Sequence, residues 1–264
     1  MGREGSPLLR QGARGGVKVR AGLAMLLASV ATGCGSSGSG GKAVTLSELT
    51  PPFEVALTLE SGECRAMIVG QTVDRAMLVA RGTEAIRTSV QLQEDQFGRV
   101  DEVPSLRLRE RADLPWRCVG SAIFHMERAG FARLLFELPD GRQIKVDLPF
   151  DDPNAPPPPI PPQINRIMIG QTGRPSWNGA PVTAEQLGLH LREAAAMRPE
   201  PELEIDPSPG TRLDAVISLL AQVRDAGIAT SRSDQQMAPG TVHDDIGPWG
   251  FRFVGLERFA GDLK

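Results

Sequence analysis

No stretch of the 264 residues holds about 18 consecutive apolar side chains, the length a bilayer-spanning helix needs, so a spanning helix is excluded. Charge of one sign is missing too. With 29 Lys+Arg against 32 Asp+Glu and a net of −3, the chain is neither a basic nucleic-acid binder nor a highly charged disordered polymer. Histidine is scarce: His125, His190 and His243 are the only three, none at H-x-x-x-H spacing, and they read as surface or rim residues. The cluster His243-Asp244-Asp245 reads as a solvated loop, so no metal site is expected. Also absent are a G-x-S-x-G nucleophile elbow and a glycine loop able to cradle phosphate. Gly170-Gln-Thr-Gly173 lacks the following lysine and helix, and reads as a hairpin turn. No catalytic residue and no cofactor is expected.

The chain is 41% hydrophobic, enough to bury a core, but 29 Gly and 22 Pro rule out one continuous helical bundle. Arg3, Arg10, Arg14, Lys18 and Arg20 precede an apolar run from Ala21 to Ala31, of the length of a signal-peptide core. Ala31-Thr32-Gly33-Cys34 closes that run and resembles the lipobox of bacterial lipoproteins, with alanine where leucine is the stronger choice. The resemblance implies that residues 1–33 are a signal peptide and that Cys34 carries thioether-linked diacylglycerol, whose two acyl chains, such as palmitate, are enough for stable anchoring. An ordinary secretory signal beside a coincidental cysteine is the bland alternative. Residues 34–44 are then the lipidated cysteine and a flexible Gly/Ser tether. Removing residues 1–33 leaves 24 Lys+Arg of the 29 and 31 Asp+Glu of the 32, a net of −7, which speaks against nucleic acid as a partner.

Sliding the chain against itself reveals a repeat at an offset of about 97 to 100 residues. Pro104-Ser-Leu-Arg-Leu108 lies over Pro201-Glu-Leu-Glu-Ile205, and Trp116, Val119, Ile123 and Gly130 lie over Leu213, Val216, Leu220 and Gly227. Alternation in the first pair predicts half-buried strands, and three- and four-residue spacing in the second predicts amphipathic helices closed by left-handed glycines. Thr183-Ala-Glu-Gln186 is a capping box opening a helix whose buried stripe is Leu187, Leu191 and Ala194. Arg75 to Gln93 is the matching helix of the first copy, weakened by Gly82, Thr83, Thr88 and Val90. Met67-Ile-Val-Gly-Gln-Thr72 is expected to overlay Ile167-Met-Ile-Gly-Gln-Thr172 with a small register shift. Ala132 to Leu138 and Arg142 to Leu148 alternate around Pro139-Asp-Gly141 and predict a hairpin. The prolines of 151–162 read as a stiff spacer between domains at 45–150 and 163–264.

The expected fold is α+β: two tandem ββαβαβ domains, each a short mixed sheet with two helices on one face. In that order of elements the chain resembles the periplasmic domain of the ExbD/TolR family of biopolymer transport proteins. The second copy carries it best, through Ile164 to Ile169, the turn Trp177-Asn-Gly-Ala-Pro-Val182 into the capped helix, Pro201 to Ile205, and Leu213 to Ile228. The family's N-terminal transmembrane helix with its proton-coupling aspartate has no counterpart here. Its last strand falls on polar Ile228 to Asp234, so Trp249-Gly-Phe-Arg-Phe-Val254 is the candidate replacement. The resemblance implies a non-enzymatic binding or scaffolding role at the cell envelope, with envelope proteins or peptidoglycan as partners and the membrane reached through the lipid anchor. Family dimers imply that the tandem copies close as an intramolecular pseudo-dimer. Gly35 after the cysteine points to the periplasmic face of the outer membrane rather than the inner one. The rival reading is an envelope enzyme or enzyme subunit with a site in the interdomain cleft.

Trp177, Asn178 and Trp249 are the candidate ligand or partner contacts, the first two at a turn, the third among aromatics that read more simply as core. Cys64 and Cys118 remain after Cys34, and export to an oxidising compartment permits a disulfide. It would close a loop of 54 residues and contribute about 4 kcal/mol. Two buried thiols are the equal alternative.

Overall fold

The computed structural model describes residues 45–109, 111–137, 141–148, 163–197, 201–228 and 251–264, which fall in one compact unit, Ala43–Lys264. The signal-like segment, Cys34, the tether, the proline spacer, His243 and Trp249 lie outside the described residues.

A short helix α1 (Leu46–Leu49) leads into β1 (Phe53–Glu60), β2 (Glu63–Ile68), β3 (Gln71–Val73), α2 (Arg75–Phe97), β4 (Leu106–Arg109), α3 (Trp116–Ala129), β5 (Arg133–Glu137) and β6 (Gln143–Asp147). Past the spacer come β7 (Ile164–Ile169), β8 (Pro175–Trp177), β9 (Ala180–Pro181), α4 (Ala184–Ala196), β10 (Glu202–Pro207), α5 (Leu213–Asp225), β11 (Phe251–Phe253) and a 3₁₀ turn, Leu256–Phe259. The protein is α+β, with a six-stranded sheet ordered β3-β2-β1-β4-β5-β6 and a five-stranded sheet ordered β11-β10-β7-β8-β9. Without α1 and β6, both halves read βββαβαβ with one strand order. In each, the first three strands are antiparallel neighbours and the two strands that follow helices join in parallel. Each half therefore has one more short strand than the expected ββαβαβ. β11 falls on the stretch expected to supply the last strand, pairing Phe251 and Phe253 with Leu203 and Ile205.

The local causes are those of the sequence pattern. Leu106 and Leu108 are buried while Arg107 and Arg109 face away, as alternation requires. Thr183 and Gln186 form the reciprocal capping box of α4, and Asp74 caps α2 by accepting from the Met77 amide. α2 runs the full 23 residues despite Gly82. A Cβ there would lie 2.5 Å from Met126 Cε and 3.2 Å from Ala129 Cβ, so Gly82 is what lets α3 approach α2.

The expected overlay of Met67–Thr72 on Ile167–Thr172 does not hold. Leu106 pairs with Phe53, and its counterpart Leu203 pairs with Asn165, so β1 corresponds to β7 at an offset of 112. Met67 lies in β2, and Ile167 lies in β7. The shared Gly-Gln-Thr is a coincidence of two different hairpins, and the longer α2 accounts for most of the growth in offset from 97.

Buried residues of both halves form one core. At its centre two equivalent loops exchange backbone hydrogen bonds. Trp116 N donates to Thr211 O and Leu213 N to Leu114 O; Arg117 N donates to Pro209 O and Asp214 N to Ala112 O. At the offset of 97, each bond is the mirror of the other in its pair, the reciprocity of a two-fold contact. Pro115 and Arg212, also equivalent, face each other across an antiparallel bridge. The rings of Phe136 and Phe253 meet edge to face at 6.3 Å. They occupy matching places in β5 and β11, because Leu134 pairs with Leu106 and Phe251 with Leu203.

The chain then crosses back. Phe259 packs where any side chain on Gly120 would collide with its ring at 2.6 Å. Leu263 N donates to Ser121 Oγ, and Lys264 N to Cys64 O. Beneath this strap a disulfide joins Cys64 of β2 to Cys118 of α3.

Candidate functional site

A cleft of about 610 Å³ lies between α2 and the β2–β3 hairpin. The hairpin turn is built from Val69 and Gly70, both left-handed at φ 49° and 77°. Glycine adopts this backbone freely; a β-branched residue does so only under strain, and Val69 is 97% exposed. Ile68, Met77 and Phe53 give the cleft its apolar walls, and Thr72, Arg81 and Glu84 its polar rim. Arg81 and Glu84 face each other one turn apart at 3.3 Å.

The second half closes the same place with its own side chains. Its hairpin turn is Asn178-Gly179, at φ 49° and 86°. Trp177, just before the turn, pairs with Ala180 as Ile68 pairs with Gln71. The caps Asp74 and Thr183 each follow five residues behind the first turn residue. Ile68, Arg81 and Glu84 thus correspond, at an offset of 109, to Trp177, His190 and Glu193. The Trp177 indole stacks on the His190 imidazole at 5.2 Å and 16°, with His190 Nδ1 3.4 Å from Glu193. Trp177 is half-buried and packs against the core. Asn178 serves the turn: its Oδ1 accepts from Arg166 N and its Nδ2 donates to Asn165 Oδ1. These two candidate contacts are brought together, and both work within the fold. The third candidate, Trp249, is outside the described residues.

The open face of the second sheet carries the strongest electrostatics. Glu202 and Glu204 of β10 are buried carboxylates, ringed by Arg166 of β7 and Arg252 of β11. Burial alone pushes the Glu204 carboxyl up, but hydrogen bonds and charge from Arg166 and Arg252 outweigh it and hold it below the usual range. A carboxylate so saturated is a poor base. Asp206 is likewise met by Arg258, and in the first half Arg107 and Arg109 converge on Glu54.

His125 and His190 do not converge and lie on non-equivalent helices, α3 and α4. His125 Nε2 donates to the Ala260 carbonyl of the strap. Its pKa is lowered by burial first, then by Arg75 and Arg128, against the opposing pull of that hydrogen bond. Among the described residues no group of three or more His, Cys, Asp or Glu is placed to hold a metal ion, and no helix is long and apolar enough to cross a membrane.

The cleft residues of the first half escaped the sequence reading. The signal was available as Val69-Gly70 against Asn178-Gly179, but it sits at an offset of 109, outside the 97 to 100 used to align the copies.

The second half thus presents a mixed sheet with guanidinium-carboxylate pairs on one face and a stacked indole-imidazole pair at its hairpin. Residues 136–232 match the family model described as biopolymer transport protein ExbD/TolR. The matched stretch takes in β7 to α5, the part whose pattern resembled that family most, and supports the kinship. No curated protein matches the chain.

Proposed function

We propose that the chain is a non-enzymatic binding component of the cell envelope, akin to the periplasmic part of ExbD/TolR biopolymer transport proteins. It is exported, held at the membrane through lipid on Cys34, and carries two tandem copies of the family's domain closed on each other as an intramolecular pseudo-dimer. The observation that carries the pseudo-dimer is the reciprocal set of backbone hydrogen bonds between Ala112–Arg117 and Pro209–Asp214. A two-fold contact is self-complementary, and here both of its sides are covalently linked, so this surface is satisfied within one chain. The match at 136–232 and the common βββαβαβ order support the kinship. The partners proposed are envelope proteins or peptidoglycan.

Photo-crosslinking in intact envelopes, followed by identification of the adducts, tests the role. Adducts with envelope proteins or muropeptides are expected, and adducts confined to cytoplasmic proteins would refute it. Palmitate labelling tests the anchor, with Cys34→Ser expected to lose the label. Light scattering of the purified protein should give the mass of one chain; a stable dimer would count against closure within the chain.

A further inference from the structure

We infer that the cleft between α2 and the Val69-Gly70 hairpin is a receptor for an aromatic side chain supplied by a partner polypeptide, stacked on the Arg81 guanidinium. The occupant is read from the twin half. There the equivalent place is filled in cis by an indole lying flat on the ring of His190, with Glu193 behind it. In the first half the frame persists: hairpin, capped helix, and the basic residue paired one turn on with a glutamate. Only the indole is gone, replaced by Ile68, and the basic ring is replaced by a guanidinium. A planar guanidinium accepts an aromatic face at least as well as an imidazole does.

Two observations point to use rather than simple loss. About 610 Å³ of cleft remains beside Ile68 instead of collapsing, room for a bulky ring. The hairpin tip also departs from the residue its fold prefers. The twin has asparagine, which tolerates the left-handed turn, whereas Val69 is strained and fully presented to solvent beside Met77, itself 46% exposed. A strained, bare apolar tip over an open cleft is the arrangement a partner contact would relieve by covering it.

The inference deepens the binding role proposed above and rests on it. The test is a titration of the ¹⁵N-labelled full chain with N-acetyl-tryptophanamide, followed by amide and Arg81 Nε–H shifts. Shifts confined to the 68–74 hairpin and the first three turns of α2 are expected, saturating with a Kd on the order of 1 mM. N-acetyl-leucinamide should bind at least about tenfold more weakly. Ile68→Trp, which restores the twin's indole in cis, should abolish binding. Arg81→Ala, at a side chain 56% exposed and so safe for folding, should weaken it about tenfold. Shifts elsewhere, equal binding of the leucine probe, or unchanged binding by both variants would overturn the inference. Envelope adducts that persist in Ile68→Trp and Arg81→Ala would sink the cleft and leave the broader binding role standing; loss of all envelope adducts in the unaltered protein would sink that role instead.

Discussion

Replacing Phe253 by alanine should weaken both halves of the protein, although the residue belongs to the last strand. Its ring is 4% exposed and lies 4.8 Å from Trp116, 5.8 Å from Phe251 and 6.3 Å from Phe136. Two of those neighbours are in the first half. Deleting a buried phenyl ring costs about 3–5 kcal/mol where the surroundings cannot collapse into the space. For a cooperative unit of this size that is a fall in Tm of roughly 6–20 °C. The assay is thermal and urea unfolding with Trp116 as sole fluorophore, in a background of Trp177→Phe and Trp249→Phe. If the core is shared, Trp116 reports the full destabilisation in one transition coincident with the loss of far-UV circular dichroism. Two steps, with the Trp116 step at its unaltered midpoint, would show that the halves unfold independently and would refute the shared core.

Reduction of Cys64–Cys118 should lower stability by about 4 kcal/mol, from the loop of 54 residues it closes. Urea midpoints that coincide with and without reductant, with thiol release verified by alkylation, would contradict this. Val69→Asn should stabilise the chain by about 1 kcal/mol by removing a β-branched residue from a left-handed position, read as a higher urea midpoint; a lower midpoint would mean that the valine packs on something. Because burial holds His125 below its ordinary 6.5, the unfolded chain takes up a proton before the folded one does as pH falls. Its contribution to stability is therefore present above pH 6.5 and lost as pH falls through the folded value. His125→Gln, which can still donate to the Ala260 carbonyl, should flatten that part of the stability profile, and an identical slope in the variant would rule the residue out.

What could be read from sequence was whatever depends on near neighbours. Alternation at Leu106 and Leu108, the stripe through Leu213, Val216, Leu220 and Val223, the box at Thr183 and the glycines at 130 and 227 each specify an element from within a dozen residues. β3 and β9 were invisible because strands of three and two residues are too short to show a period. Spatial relations between distant segments left no local trace. Nothing around Phe253 signals that it will touch Trp116, and nothing in Ala260 to Lys264 marks it as a strap. The cleft was hidden for a different reason: it arises from a side chain that the first copy lacks, and the absence shows only once the twin's Trp177 is set beside Ile68 in the right register. Cys64 and Cys118 were left as bridge or thiols, because only the closeness of β2 and α3 decides between them.

The strap has a consequence for biogenesis. A polypeptide made amino end first presents β1 to β6 long before Phe259, Leu263 and Lys264 emerge. Until they do, the groove over Gly120 stays bare, the Cys64 carbonyl lacks its last donor, and the apolar flank of α3 stands open to aggregation or to a chaperone. Maturation of the first half thus waits on residues made after the second, and a version cut before Phe259 should accumulate in an unfinished, protease-sensitive form.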